Sequence, residues 1–205
     1  MVSLLRRRAM MVQAASPTPP PTLIYELEEP TSTASYDTGV KLFDTPKSFT
    51  ILCEASFANR GWSNVSNTNS IFGLSQGVTF RVGAFNGNDY RNGVLNASEK
   101  RYTALVANAT GDTDMKKCTS MFSRMSTTAA QTHRMAVRYD HTARKVEAFT
   151  DSVSAPSTRW FNVDSAISST GNIKFWLGTT GTMNSFQIYN GLLSDADINT
   201  FLSGN

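Results

Sequence analysis

His133 and His141 are the only imidazoles the chain offers for general acid or base work near neutral pH. A Ser-His-Asp hydrolase needs such a ring held between a hydroxyl and a carboxylate. His141 falls in the polar turn Asp140-His-Thr-Ala143 and reads as a solvated turn residue. His133 opens an alternating segment, where packing or hydrogen bonding suits it better than catalysis. No Gly-x-Ser-x-Gly elbow, Walker loop or dinucleotide fingerprint is present. A retaining glycosidase places two carboxylates about 5 Å apart across the scissile bond. Glu54 and Glu147 stand isolated in sequence, and Glu26, Glu28 and Glu29 crowd against a proline-rich stretch, too near it for a cleft. No paired carboxylates emerge, so neither an enzymatic activity nor a cofactor is expected.

Two other chemistries have candidate residues. Calcium takes about 6–8 oxygen ligands. Asp112 and Asp114 in Gly111-Asp-Thr-Asp114 are the one close acidic pair in a loop, and no glutamate follows them. Two carboxylates are too few for the ion, and a turn with Asx bonding accounts for them. Sugars are held by an exposed aromatic ring beside amides and charged groups. Asn59-Arg-Gly-Trp-Ser-Asn64 and Asn88-Asp-Tyr-Arg-Asn92 both qualify. Trp62 and Tyr90 would stack on a ring, and Asn64, Asp89 and Arg91 would bond its hydroxyls. The competing reading packs Trp62 over one end of a sandwich, since a large aromatic gains most by burial.

The elements that must position these loops are strands. His133 to Tyr139 and Arg144 to Thr150 alternate apolar and polar residues on either side of the turn at 140–143. Met135, Val137 and Tyr139 share one face of the first, and Val146 and Ala148 one face of the second. Ser48 to Phe57 is the strongest strand of the N-terminal half, with Phe49, Ile51, Cys53, Ala55 and Phe57 on one face. Shorter strands are expected at 23–27, 40–43, 71–74, 78–85, 102–107, 159–161, 174–177 and 183–190, with a turn at Tyr36-Asp-Thr-Gly39. Residues 108–132 read as a long loop holding at most one short strand. Ser194 is an N-cap with Asp197 three residues on, Ile198, Phe201 and Leu202 form a helical face, and Gly204 ends the helix.

His133-Arg-Met-Ala-Val-Arg-Tyr-Asp140 and the closing run Gly181-Thr-Met-Asn-Ser-Phe-Gln-Ile-Tyr-Asn-Gly-Leu-Leu-Ser-Asp-Ala-Asp-Ile198 carry a resemblance. Both resemble the laminin-G-like, concanavalin A-like family. The resemblance implies an all-β fold: a two-sheet antiparallel jelly-roll sandwich with a short C-terminal helix and the first strand beside the last. It also implies a structural role for His133. Asn184 stands where that family has Asp, which lowers any expectation of a metal near the closing strand. Such a likeness bears on fold and leaves function to the site.

The rest of the chain bounds function by composition. Its 205 residues suffice for one sandwich domain with an appendage, and only 17% are charged. No apolar run approaches the about 20 residues that cross a bilayer, so no membrane partner is expected. Cys53 and Cys118 are read as two buried free thiols rather than a bridge. Sequons at Asn64, Asn96 and Asn108 arise by chance in a chain so rich in Asn, Ser and Thr. Arg6, Arg7 and Arg8 account for the net charge of +3, and the other 16 basic residues match the 16 acidic ones. A neutral domain argues against a nucleic-acid partner.

Residues 1–16 form a basic and apolar arm, 17–22 a proline-rich spacer and 23–205 the sandwich domain. The arm lacks the apolar core of a secretory signal and fits a mitochondrial presequence better by composition. A third reading is docking, with Leu4, Leu5, Met10 and Met11 as apolar anchors around Arg6, Arg7 and Arg8. This start resembles those of structural proteins of tailed phages. That resemblance implies a non-enzymatic virion protein on the virion surface, such as a capsid decoration or head fibre. Its arm would dock on the major capsid or another virion protein, homo-oligomeric in the assembly, and its lectin-like domain would reach for a glycan on the host. The alternative is a secreted or cell-surface carbohydrate-binding module. Because the strand pattern begins at Leu23, a chain starting at Thr22 is expected to melt cooperatively with a β-type circular dichroism spectrum. An unfolded product would place the arm in the core.

Overall fold

The computed structural model describes residues 19–32, 35–57, 70–74, 80–86, 100–106, 116–121, 131–150, 159–162, 170–176 and 181–204. At 57, 70, 81–86, 100–106, 116–121, 159–162 and 176 it describes the backbone alone. Among these residues the chain forms β1 (Thr22–Glu26), β2 (Ser35–Lys41), β3 (Phe49–Phe57), β4 (Ser70–Leu74), β5 (Phe80–Asn86), β6 (Lys100–Val106), β7 (Lys116–Met121), β8 (Gln131–Asp140), β9 (Lys145–Thr150), β10 (Arg159–Asn162), β11 (Asn172–Trp176), β12 (Thr182–Asn190) and α1 (Asp195–Ser203). Sheet A runs β1-β12-β3-β8-β9-β10 and sheet B runs β2-β11-β4-β5-β6-β7, with all neighbours antiparallel. The fold is a two-sheet antiparallel jelly-roll sandwich with one short C-terminal helix, as the strand pattern and closing motif imply. The first strand lies beside the last, Thr22 opposite Asn190.

Alternation along the strands builds the core. Phe49, Ile51, Cys53 and Ala55 of β3 meet Met135, Val137 and Tyr139 of β8, Val146 and Ala148 of β9, and Phe186 and Ile188 of β12. Sheet B contributes Phe72, Leu74, Phe80, Ile173 and Phe175. Phe43, which follows β2, sits among Phe49, Phe80 and Tyr139 with ring centroids 5.3, 5.4 and 5.7 Å away. These tilted and edge-on contacts are the arrangement that ring quadrupoles favour. Cys53 is a free thiol, its Sγ 3.4 Å from Met183 Sδ. Burial, helped by the Glu54 charge, pushes its pKa up, so it behaves as a small apolar side chain. Cys118 stands opposite Ala104 in the ladder of β7 with β6.

One expected element differs. Tyr36-Asp-Thr-Gly39 is strand, not turn, yet its turn chemistry persists as a bulge. Lys174 pairs with Asp37 and Asn172 with Lys41, so three residues of β2 face the single Ile173. Gly39 takes φ +73°, and its N–H donates to Asp37 Oδ1 at 2.9 Å. Thr38 Oγ1 donates to the Ile173 carbonyl at 2.7 Å. A glycine in the left-handed region with Asx bonding fits a bulge as well as a turn. The one strand expected within 108–132 is β7, at Lys116–Met121.

The helix starts and stops where the sequence says. Ser194 caps the Asp197 N–H while the Asp197 carboxylate accepts from the Ser194 N–H, a complete capping box. Gly204 closes the helix at φ +76°, and a Cβ there would collide with Arg134 Nη1. Ile198 and Leu202 are buried and Phe201 half-buried, the face foreseen. Ser194→Ala and Gly204→Ala are each expected to cost about 1 kcal/mol, the first by losing a cap and the second by left-handed strain. Urea unfolding measures both, and an unchanged midpoint for Ser194→Ala would show that the cap contributes nothing.

Candidate functional site

A sandwich offers two outer faces, and the helix settles the use of one. Positions of sheet A that alternate with the core carry Thr50, Leu52, Glu54, Ala136, Arg138, Glu147 and Phe149. Ile198, Leu202 and Leu193 pack there against Leu52, Ala136 and Phe149 in a second apolar cluster. Thr50 Oγ1 accepts from the Leu193 N–H at 3.0 Å and donates to the Gly191 carbonyl at 3.1 Å, fixing the chain between β12 and α1.

Arg138 holds the N-terminal end of the helix. Its Nε and Nη2 both approach Glu147 Oε2 at 2.7 Å, its Nη1 donates to the Leu193 carbonyl at 2.8 Å, and its Nη2 meets Asp195 Oδ1 at 2.8 Å. The guanidinium also lies 5.3 Å from the Phe149 ring centroid. Lys145 Nζ meets the other Glu147 oxygen at 2.7 Å. Arg134 holds the other end, covering Gly204 and donating from Nε to Glu54 Oε2 at 2.6 Å. Asn184 Nδ2 donates to Ser56 Oγ at 2.9 Å and lies 3.4 Å from Glu54 Oε1. An aspartate at 184 could not donate and would face Glu54, which accounts for the amide there. Glu54 and Glu147, isolated in sequence, are therefore each paired with an arginine of β8. This face fastens a helix.

The outer face of sheet B has no helix over it among the described residues. Phe72, Phe80, Ile173 and Phe175 face the core, so the positions between them form the outer rows. One row reads Asp37, Lys174, Gly73, Arg81, Leu105 and Lys117 across six strands. The next brings together Gly83, Thr103 and Thr119, and a third Phe85, Arg101 and Met121. Rows lie about 6.6 Å apart and strands about 4.8 Å apart. Gly73, a buried residue, pairs with Lys174 and Arg81, and Gly83 pairs with Thr103 and with Ser70, beside the bulge between Ser70 and Phe72. A glycine inside a strand weakens it and marks a bulge or the close approach of a ligand or another backbone. Lys174 Nζ lies 3.1 Å from Asp37 Oδ2. Slight burial pushes the Asp37 pKa up, but the Gly39 N–H, Lys174 and Asn172 outweigh it and hold the carboxyl below its ordinary value.

The sequence-derived site residues fall in connections. Trp62 and Asn64 lie between β3 and β4, Asp89, Tyr90 and Arg91 between β5 and β6, and Asp112 and Asp114 between β6 and β7. All are outside the described residues, as are Leu4, Leu5, Arg6, Arg7, Arg8, Met10 and Met11. Of the histidines, His133 is buried at 4% exposure, and the His141 N–H donates to Ser48 Oγ at 3.0 Å. Among the described residues no three His, Cys, Asp or Glu side chains cluster as metal ligands. The rows of sheet B were missed because no motif marks them. The basic pairs Lys100-Arg101 and Lys116-Lys117 were their one sequence signal.

No protein-family model and no curated protein matches the chain. Solved structures do share its fold. The CBM40 module of the Ruminococcus gnavus IT-sialidase, bound to α2,6-sialyllactose, aligns with TM-score 0.57 at 11% identity, over 88% of this chain and 100% of that one. A mutant NanB sialidase from Streptococcus pneumoniae aligns with TM-score 0.56 at 12% identity, over 87% of this chain and 28% of that one. The SAP-like pentraxin of Limulus polyphemus reaches 0.52 at 13% identity, over 80% of this chain and 73% of that one. At such identities the likeness is one of fold.

The fastening role of sheet A makes a stability prediction. Arg138→Ala leaves Glu147 with Lys145 alone and is expected to cost about 2–3 kcal/mol. Replacing the pair together, Arg138→Met with Glu147→Gln, should recover part of that loss. A thermal melt of Arg138→Ala matching the parent would refute the network as the helix's anchor.

Proposed function

We propose that the domain is a non-catalytic glycan-binding module. The observation that carries this reading is the outer face of sheet B, over which no helix lies among the described residues, with Gly83, Thr103 and Thr119 at its outer positions. Small residues leave room for a sugar ring to lie close to the backbone, where hydroxyls meet threonine and main-chain groups. Support comes from the fold's other users, since the CBM40 module aligned here is one bound to sialyllactose. The connection holding Asp89, Tyr90 and Arg91 joins two strands of that face, and we place Tyr90 and Trp62 as stacking partners at its margin. The virion reading, with a capsid-docking arm and a surface location, rests on the sequence of residues 1–16.

A glycan array probed with the full chain tests the module, and at least one glycan is expected to bind. Gly83→Val, a better strand former that fills the floor, should leave the melting temperature equal or higher and weaken binding about tenfold. Full binding by Gly83→Val would move the site off this face. Binding that survives Trp62→Ala with Tyr90→Ala would remove those rings from it.

A further inference from the structure

The two sheets divide the domain's charge unequally. The strands of sheet A carry four basic residues (Arg134, Arg138, Lys145, Arg159) and four acidic ones (Glu26, Glu54, Asp140, Glu147). The strands of sheet B carry seven basic residues (Lys41, Arg81, Lys100, Arg101, Lys116, Lys117, Lys174) and one acidic residue, Asp37. A neutral domain thus contains a sheet whose strands sum to +6, seven against one. The outer rows hold Lys174, Arg81, Lys117 and Arg101. Asp37 answers Lys174 at the β2 edge, 3.1 Å away. No acidic residue stands at any position of β4, β5, β6 or β7.

We propose that the outer face of β5, β6 and β7 takes an acidic glycan, one bearing carboxylate or sulfate groups, through Arg81, Arg101 and Lys117. This rests on the glycan-binding reading and names its substrate class. Cations gathered on one sheet repel each other and destabilise the compact state, so their retention without strand carboxylates points to an external anion. Edge protection accounts for Lys116 and Lys117, because lysines blunt exposed sheet edges and β7 is an edge strand. It does not account for Arg81 and Arg101, which stand on the interior strands β5 and β6. Arginine's planar fork suits carboxylate and sulfate, and lysine supplies a point charge.

Spacing favours an oligosaccharide over a single sugar. Arg81 and Arg101 lie four residues apart along the strands and one strand apart, an α-carbon separation of about 14 Å. Leu105 stands between Arg81 and Lys117 in their row, with the small residues of the second row between them and Arg101. Charges on successive acidic sugars could meet such a pattern. A nucleic acid fits less well, because Arg81, Arg101 and Lys117 are fewer cations than the about six to ten phosphate contacts a duplex-binding face makes.

The test uses the full chain against heparin fragments for sulfate, polygalacturonate and α2,6-sialyllactose for carboxylate, lactose as the neutral control and a short duplex DNA as competitor. At least one acidic glycan is expected to bind better than lactose, with affinity falling as salt rises. Arg81→Gln, Arg101→Gln and Lys117→Gln together should weaken that binding about tenfold or more while leaving the melting temperature unchanged. Should that variant fold poorly, the salt dependence of the unsubstituted protein reads the same charge contribution. Acidic binding equal in the triple variant, or insensitive to salt, overturns the proposal. Binding of neutral glycans without acidic preference also overturns it and leaves the glycan-binding reading standing. Binding to no glycan at all sinks that reading, and DNA competing as well as the acidic glycan would make the face a general polyanion surface and overturn the proposal too.

Discussion

The centre of sheet A, in β3, β8 and β9, is buried on both faces, and the rest of the described chain arranges itself around that constraint. A strand buried on both sides cannot alternate apolar with charged residues. Strand β3 obeys, with Phe49, Ile51, Cys53 and Ala55 toward sheet B and Thr50 and Leu52 toward the helix. Thr50 is fully buried on that side, and both its hydrogen bonds go to the segment leading into α1. Beside the helix the charged residues stand at its two ends, where Arg138 and Arg134 bring their own carboxylates, and Glu26 lies further out on β1 with Gln187. Buried ion pairs of this kind add little net stability over apolar packing, but one partner cannot be lost cheaply. They fix where the helix sits.

Sheet B is placed differently. Among the described residues no helix lies over its outer face, whose positions carry polar, charged and glycine residues. The alternation in its strands differs accordingly. Phe80, Val82 and Ala84 take one side of β5, with Arg81, Gly83 and Phe85 on the other. A slip of one residue would send Arg81 into the core. The aromatic packing of Phe72 and Phe80, buried at 0% exposure, therefore sets the register that gathers the basic row.

Local signals were legible in the sequence and averaged or distributed ones were not. The capping box and the glycine stop depend on residues within ten positions of one another, and both stand where the sequence places them. The alternation of β3, β8 and β9 was equally plain, because burial on the core side leaves period-two spacing whatever lies opposite. Tyr36 to Gly39 misled because the same Asx bonding and left-handed glycine serve a turn or a bulge. Only the partner strand β11 decides between them. The carboxylates Glu54 and Glu147 looked isolated because Arg134 lies 80 residues from Glu54. The candidate sugar loops at Trp62 and Tyr90 followed from residue type alone, and they flank the strands of sheet B in the chain.

The charge balance carries the same lesson in its strongest form. Sixteen basic residues against sixteen acidic ones made the domain read as neutral and argued against a nucleic-acid partner. Net charge bears on solubility and long-range encounter, whereas recognition depends on the charges of one face. Pairing order decides which residues share that face, and it comes from hydrogen bonds between strands far apart in sequence. Lys174 joins Arg81 through Gly73, across about a hundred residues of intervening chain. A sum over the chain cannot contain that information, and a sum over each sheet does.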